Sequence, residues 1–171
     1  MILDTAIDVI TFAYYDSPIG VLKIGGTDLY ISQISFAENE TNTEEQSTET
    51  PAIIHDCIEQ LIEYFAGNRQ TFDLPIHQDG TEFQEKVWGK LSEIPFGSTM
   101  SYGELAKKMG DPKVVRAAAA ANGKNNLMIL VPCHRVIGAD RSLVGYAGGM
   151  PKTKWLLQHE FRIKHGVQTL F

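Results

Sequence analysis

Cys133 and His134 stand side by side directly after Pro132, in the run ILVPCHRV that spans residues 129–136. A free thiol with a pKa of ~8.5 is only a few per cent thiolate at neutral pH, so a reactive cysteine needs a base or a cation at hand. His134 can act as the base and Arg135 as the cation. Pro132 restricts the backbone just before the thiol and predicts a turn there. Sequence neighbours need not face one another, so a structural cysteine beside an unrelated histidine stays open as the alternative. Residues 127–131 are apolar and are read as a buried strand leading into the turn. The other cysteine, Cys57, sits at a helical position among apolar residues and is read as a small buried hydrophobe. Two cysteines make neither a disulfide framework nor a four-cysteine zinc site. Both are expected to be reduced thiols.

The elements that must hold this turn are helices with clear start signals. Thr81-x-x-Gln84 is a capping box, followed by Phe83, Val87, Leu91 and Ile94 on one face and ended by Pro95-Phe96-Gly97. Ser101-x-x-Glu104 is a second capping box, opening a short helix with Tyr102, Leu105, Ala106 and Met109 on one side and Gly110 as its stop. Asp111 and Pro112 then start a helix over residues 113–122. Two short helices about a glycine-containing turn fit a helix-turn-helix. The second helix carries Arg116 followed by five alanines. It is either a tightly packed alanine-rich helix, as propensity favours, or a slim one that presses its backbone against DNA with one long cation projecting.

Upstream the texture differs. Three short apolar runs between residues 9 and 36, separated by Asp16-Ser17-Pro18 and Gly25-Gly26-Thr27-Asp28, predict a three-stranded antiparallel meander. Residues 38–50 form a polar, acidic loop. A helix beginning at Pro51 places Ile54, Ile58, Leu61, Ile62 and Phe65 at helical spacing and closes at Gly67. Residues 1–80 hold 14 Asp/Glu and 2 Lys/Arg, a net −12, whereas residues 81–171 hold 7 and 13, a net +6. A basic half on an acidic chain of net −6 predicts a polyanionic partner for that half, with a merely solvated charged face as the alternative. The 171 residues divide on this basis into an acidic scaffold domain, 1–80, and a basic helical domain, 81–171. The first residues lack a basic segment and carry Asp4 and Asp8, so no signal peptide is expected. No apolar run approaches a membrane span, and the expected location is the cytoplasm.

The run ILVPCHRVIG closely resembles the O6-alkylguanine-DNA alkyltransferases, the methylated-DNA–protein-cysteine methyltransferases. So do GTEFQEKVW, IPFGSTMSYGELA, the Arg116 helix, Asn125, the segment VGYAGG at 144–149 and the segment KWLLQHE at 154–160. The likeness is continuous from about residue 80 to 165 and weak before that. It implies an RNase H-like α/β N-terminal domain, an antiparallel sheet plus a helix, and a mostly α C-terminal domain containing the helix-turn-helix. It implies a DNA-repair activity: one alkyl group moved from O6-alkylguanine, and O4-alkylthymine with it, to a cysteine, once per molecule. Carried over by position, Cys133 is the acceptor, His134 takes its proton through a water, Glu160 orients His134, and Tyr102 protonates the departing guanine. Arg116 fills the gap left by the extruded base. Tyr102, Ala117, Ala118, Ala121, Asn122, Lys124 and Arg135 join it against DNA. The pocket would be lined by Asn125, Met128, Pro132, Val136, Val144, Tyr146 and Ala147, with Asn125 tying the helix-turn-helix to the active-site turn. Backbone groups of Cys133, Val136, Tyr146 and Ala147 would bind the guanine.

The chemistry suits these residue types. The target is a saturated carbon, which a soft sulfur attacks by displacement, and guanine leaves better with a proton donor nearby. The chain departs from the family where Asn126 and Met128 replace prolines and Ala147 replaces a serine of some members. The zinc ligands of certain relatives have no counterpart, so no metal and no cofactor are expected. His55, His77, His159 and His165 are read as surface or structural. The partner is double-stranded DNA carrying O6-alkylguanine, with no membrane, and the protein is expected to act as a monomer. Three rivals are a damage-binding relative with tryptophan at the acceptor position, a Cys-His hydrolase and a transcriptional regulator. Cys133 opposes the first, and a single turnover on alkylated DNA would oppose the second.

Overall fold

The computed structural model describes residues 9–37, 49–138 and 150–166. The chain divides into two compact units, Met1–Gln78 and Asp79–Phe171.

In the first unit, β1 (Thr11–Ser17), β2 (Gly20–Gly26) and β3 (Ile31–Phe36) form the antiparallel meander in the order β1-β2-β3. Register brings Ala13 opposite Ile24, and Ile24 opposite Ile34, so their small and branched side chains share one buried face. The register slips between Gly25 and Gly26, where a Cβ on Gly26 would meet the Tyr30 carbonyl oxygen at 2.5 Å. Only glycine fits there. Helix α1 (Ala52–Phe65) lies against the sheet and buries Ile54, Cys57, Leu61 and Tyr64. The buried stripe is therefore rotated from the expected one: Ile58 is half-buried, Ile62 is exposed, and Cys57 and Tyr64 take the core places. Gly67 follows the helix at φ +87°, the left-handed ending that glycine favours.

The second unit begins with α2 (Glu82–Leu91), whose Thr81–Gln84 capping box is fully formed. Trp88 on α2 donates its indole N–H to the Ala121 carbonyl at 2.9 Å. The next strand, β4 (Met100–Ser101), pairs in parallel with β5 (Val136–Ile137). Helix α3 (Tyr102–Lys108) starts from the Ser101–Glu104 capping box, and Gly110 turns the chain at φ +96°. A 3-10 turn, Pro112–Val114, capped by the Asp111 carboxylate, precedes α4 (Val115–Gly123). The second helix of the helix-turn-helix thus begins in 3-10 form, two residues later than the sequence predicts. Helix α5 (Met150–His165) completes the described residues.

Residues 127–131 do not form the expected strand. The run folds on itself, with Val131 N–H donating to the Leu127 carbonyl at 2.8 Å and Leu130 N–H to the Met128 carbonyl at 2.9 Å. Ile129 sits at φ +74°, a strained conformation for a β-branched residue. Short apolar runs read alike whether they extend or coil, because burial alone fixes their composition.

Because β4 ends at the Ser101 cap, that cap orients both α3 and the strand pair. Ser101→Ala should lower stability by about 1 kcal/mol, read as a reduced denaturation midpoint with an unchanged slope. An unaltered midpoint would show that the capping box carries no stability.

Candidate active site

Two local devices bring the chemistry together. The β4–β5 pairing sets Met100 opposite Val136 and Ser101 opposite Ile137, so Tyr102 emerges beside the 3-10 turn Cys133–Arg135. Nothing in the sequence marked these two-residue strands. Asn125 then braces the strained turn: its side-chain amide donates to the Val131 carbonyl at 2.9 Å and accepts from Leu127 N–H at 3.1 Å.

Cys133 is almost wholly buried. Burial pushes its thiol up to about 11, against the lowering effect of hydrogen bonds from Asn125 and from its own backbone. Burial likewise holds the Tyr102 proton on more tightly. A hydrogen bond from Asn122 works the other way, and the nearby Cys133 adds to the rise. The site therefore couples a protonated thiol to a protonated phenol. Asn122 also reaches the Cys133 carbonyl, at 3.4 Å.

Behind the thiol lies a buried charge cluster. Glu160, fully buried on α5, faces His134 Nε2 at 2.7 Å and accepts from Arg135 Nε at 2.8 Å and Arg135 Nη2 at 3.0 Å. The Gly97 N–H adds a longer bond at 3.3 Å. Arg135 spends its remaining reach on the Ile94 carbonyl, 2.7 Å from Nη1. Burial alone would raise the Glu160 carboxyl, but His134 and Arg135 outweigh it and hold the group well below the usual carboxylate range.

These contacts show where the residues of the expected DNA-facing set lie within the unit. Arg135 is 6% exposed, and its guanidinium is engaged inside the unit, so it is not a surface cation. Ala118 and Ala121 point inward, and Asn122 is buried against the Cys133 carbonyl. The exposed side of α4 and its end is Arg116, Ala117, Ala120, Gly123 and Lys124. Helical spacing from Arg116 would have found Ala120 and Gly123. Among the expected pocket residues, Asn125, Met128, Pro132 and Val136 are buried around the Cys133 turn. Val144, Tyr146 and Ala147 lie outside the described residues. Cys57, in the other unit, is buried, and its thiol is pushed up to about 12 by that burial.

The description "6-O-methylguanine DNA methyltransferase, DNA binding domain" matches residues 82–162, and the same protein's "ribonuclease-like domain" matches residues 10–78. The chain belongs to the O6-methylguanine-DNA methyltransferase family. Membership carries the reaction class, methyl transfer from DNA to a protein cysteine. A methylated-DNA–protein-cysteine methyltransferase of Mycolicibacterium paratuberculosis is 41% identical over 95% of this chain and 99% of its own length. A constitutive one of Bacillus subtilis is 44% identical over 88% and 94% respectively. The crystal structure of Mycobacterium tuberculosis OGT in complex with DNA superposes with a TM-score of 0.81 at 39% identity, covering 90% of this chain and 94% of that one. The first unit is the family's ribonuclease-like domain and the second its DNA-binding domain. Among the described residues no helix is long and apolar enough to cross a membrane.

Glu160 also predicts how the fold responds to acid. Its carboxyl is held low in the folded state, so its stabilisation is present above the ordinary carboxylate range, ~4.3, and is lost as pH falls below it. Glu160→Gln should cost about 3–5 kcal/mol at neutral pH, because it leaves a buried guanidinium without its counter-charge. It should also flatten the loss of stability between about pH 4 and more acid solutions. Denaturation curves of both proteins from pH 7 to pH 2.5 measure this, and a variant whose acid response parallels that of the parent would contradict the assignment.

Proposed function

We propose that this protein repairs O6-alkylguanine in duplex DNA by accepting the alkyl group on Cys133, once per molecule. The observation that carries the reading is a buried thiol directly followed in the chain by the histidine of a buried histidine–carboxylate pair, with the Tyr102 hydroxyl, its proton held more tightly by burial, near that thiol. Sulfur attacks the saturated carbon, an S–C bond forms, and the C–O6 bond breaks with its electron pair going to guanine. His134 takes the thiol proton, Glu160 holds the imidazole, and Tyr102 gives its proton to the leaving guanine and is reprotonated from the histidine side. The product is a thioether, which water does not hydrolyse, so no step regenerates the thiol.

The acidic first unit acts as scaffold and the basic second unit meets DNA, one monomer per lesion. The exposed side of α4 carries Arg116 and Lys124 next to small residues that let its backbone approach DNA closely. Arg116 fills the stack when the base is extruded, a step costing a few kcal/mol. O4-alkylthymine presents the same alkyl–oxygen bond on a smaller ring and is a second substrate. A reaction that consumes a free thiol suits a reducing compartment, the cytoplasm.

Incubation with O6-methylguanine DNA should add one methyl to the Cys133 peptide. Cys57→Ala should leave this unchanged and Cys133→Ser should abolish it. A methyl found elsewhere would overturn the reading. Arg116→Ala should slow transfer from duplex DNA by about tenfold for each ~1.4 kcal/mol of uncompensated flipping cost, while reacting normally with free O6-benzylguanine. Equal slowing on both substrates would remove Arg116 from the extrusion step. His134→Gln should react slowly at neutral pH and gain about tenfold per pH unit toward the thiol's own range near 11. A flat profile would deny His134 the role of base.

A further inference from the structure

We propose that Arg135 is a positioning residue that keeps the His134–Glu160 pair from locking as an imidazolium–carboxylate, and so sets how far into acid Cys133 can accept an alkyl group. This rests on the reading of Cys133 as acceptor. The geometry is a fork: Nε and Nη2 meet the two Glu160 oxygens at 2.8 Å and 3.0 Å, and Nη1 meets the Ile94 carbonyl at 2.7 Å. The side chains of Arg135 and Glu160 are 7% and 1% exposed, so solvent and salt screen their interaction little. The guanidinium centre also lies 5.7 Å from the Phe96 ring centroid.

A guanidinium stays charged at every working pH. Glu160 therefore meets a permanent counter-charge before His134 is considered. A neutral imidazole can then donate one N–H to the carboxylate and keep a lone pair on its other nitrogen for the thiol proton. Without Arg135, the buried carboxylate has His134 as its main counter-charge. Its field then favours a doubly protonated ring, which cannot take a proton until the pH rises. Among the described residues, the other groups near this cluster are the following. The turn contributes Cys133, and α3 contributes the Tyr102 hydroxyl. On α5, His159 is buried, stacked on Trp155, and Lys164 and His165 lie against Gly97. Helix α2 carries Glu82, Glu85 and Lys86 at the surface, and Lys90 paired with Glu93 at 3.9 Å.

The test is single-turnover benzyl transfer from free O6-benzylguanine between pH 5 and 9, a substrate without DNA contacts. The proteins are the parent, Arg135→Met, Arg135→Lys and the double variant Arg135→Met/Glu160→Gln. The fraction alkylated at the end point counts the folded molecules in each. Arg135→Met should lose at least about tenfold in rate near pH 6 relative to its own alkaline plateau, beyond any loss the parent shows. Arg135→Lys, which keeps the charge but not the fork, should keep the acid limb near that of the parent. The double variant, lacking the carboxylate as well, should have its limb at or below the parent's. If Arg135→Met does not fold, the double variant and Arg135→Lys decide the matter. A limb unmoved in Arg135→Met, or raised in the double variant or in Arg135→Lys, overturns the proposal. Duplex affinity and its salt slope should be unchanged in Arg135→Met. A slope reduced by about one with an unmoved limb would return Arg135 to the DNA surface. A parent protein that takes neither benzyl from the free base nor methyl from O6-methylguanine DNA at Cys133 would sink the acceptor reading itself, a result distinct from any of these.

Discussion

A carboxylate taken out of water must be met by donors and counter-charge, and Glu160 draws them from two separate stretches of chain. The Cys133–Arg135 turn gives His134 and Arg135, and the loop after α2 gives the Gly97 N–H. Those bonds fix where α5, the loop and the turn can lie in this unit. The turn that carries the Cys133 thiol is therefore anchored by this buried charge cluster. Losing one partner of such a cluster costs more than the pair contributes, because the remaining charge stays buried.

The second constraint is backbone strain. Ile129 holds a left-handed conformation inside a buried loop that Asn125 ties at Val131 and Leu127. Strain of about 1–3 kcal/mol persists only where surrounding contacts over-determine it. Asn125 follows directly on the end of α4 and also bears on the Cys133 thiol. Helix α4 and the Cys133 thiol are thus joined within ten residues of chain. Asn122 makes a second link, from α4 to the Cys133 carbonyl.

What the sequence made legible follows from the range over which each signal acts. The meander, the capping boxes and the glycine stops were readable because turns and caps are local chemistry. The PCHRV run carried the family, and with it the pairing of His134 and Glu160 across 26 positions, which spacing alone could not give. The direction of Arg135 was not legible, since a cation beside a cysteine reads equally as surface or interior until its partners are known. The inward side of α4 was not legible for a related reason. Alanine fits either side of a helix, so Ala118 and Ala121 carried no sign of facing inward. The coil at residues 127–131 and the two-residue strands depend on tertiary contacts that leave no period in the sequence.

The most direct test of the account is the time course of methyl transfer from duplex O6-methylguanine DNA with the protein limiting. The account predicts a burst that stops at one methyl per folded molecule and does not resume when fresh DNA is added. Continued transfer beyond that plateau would contradict it, because a thioether on Cys133 leaves no route back to the thiol.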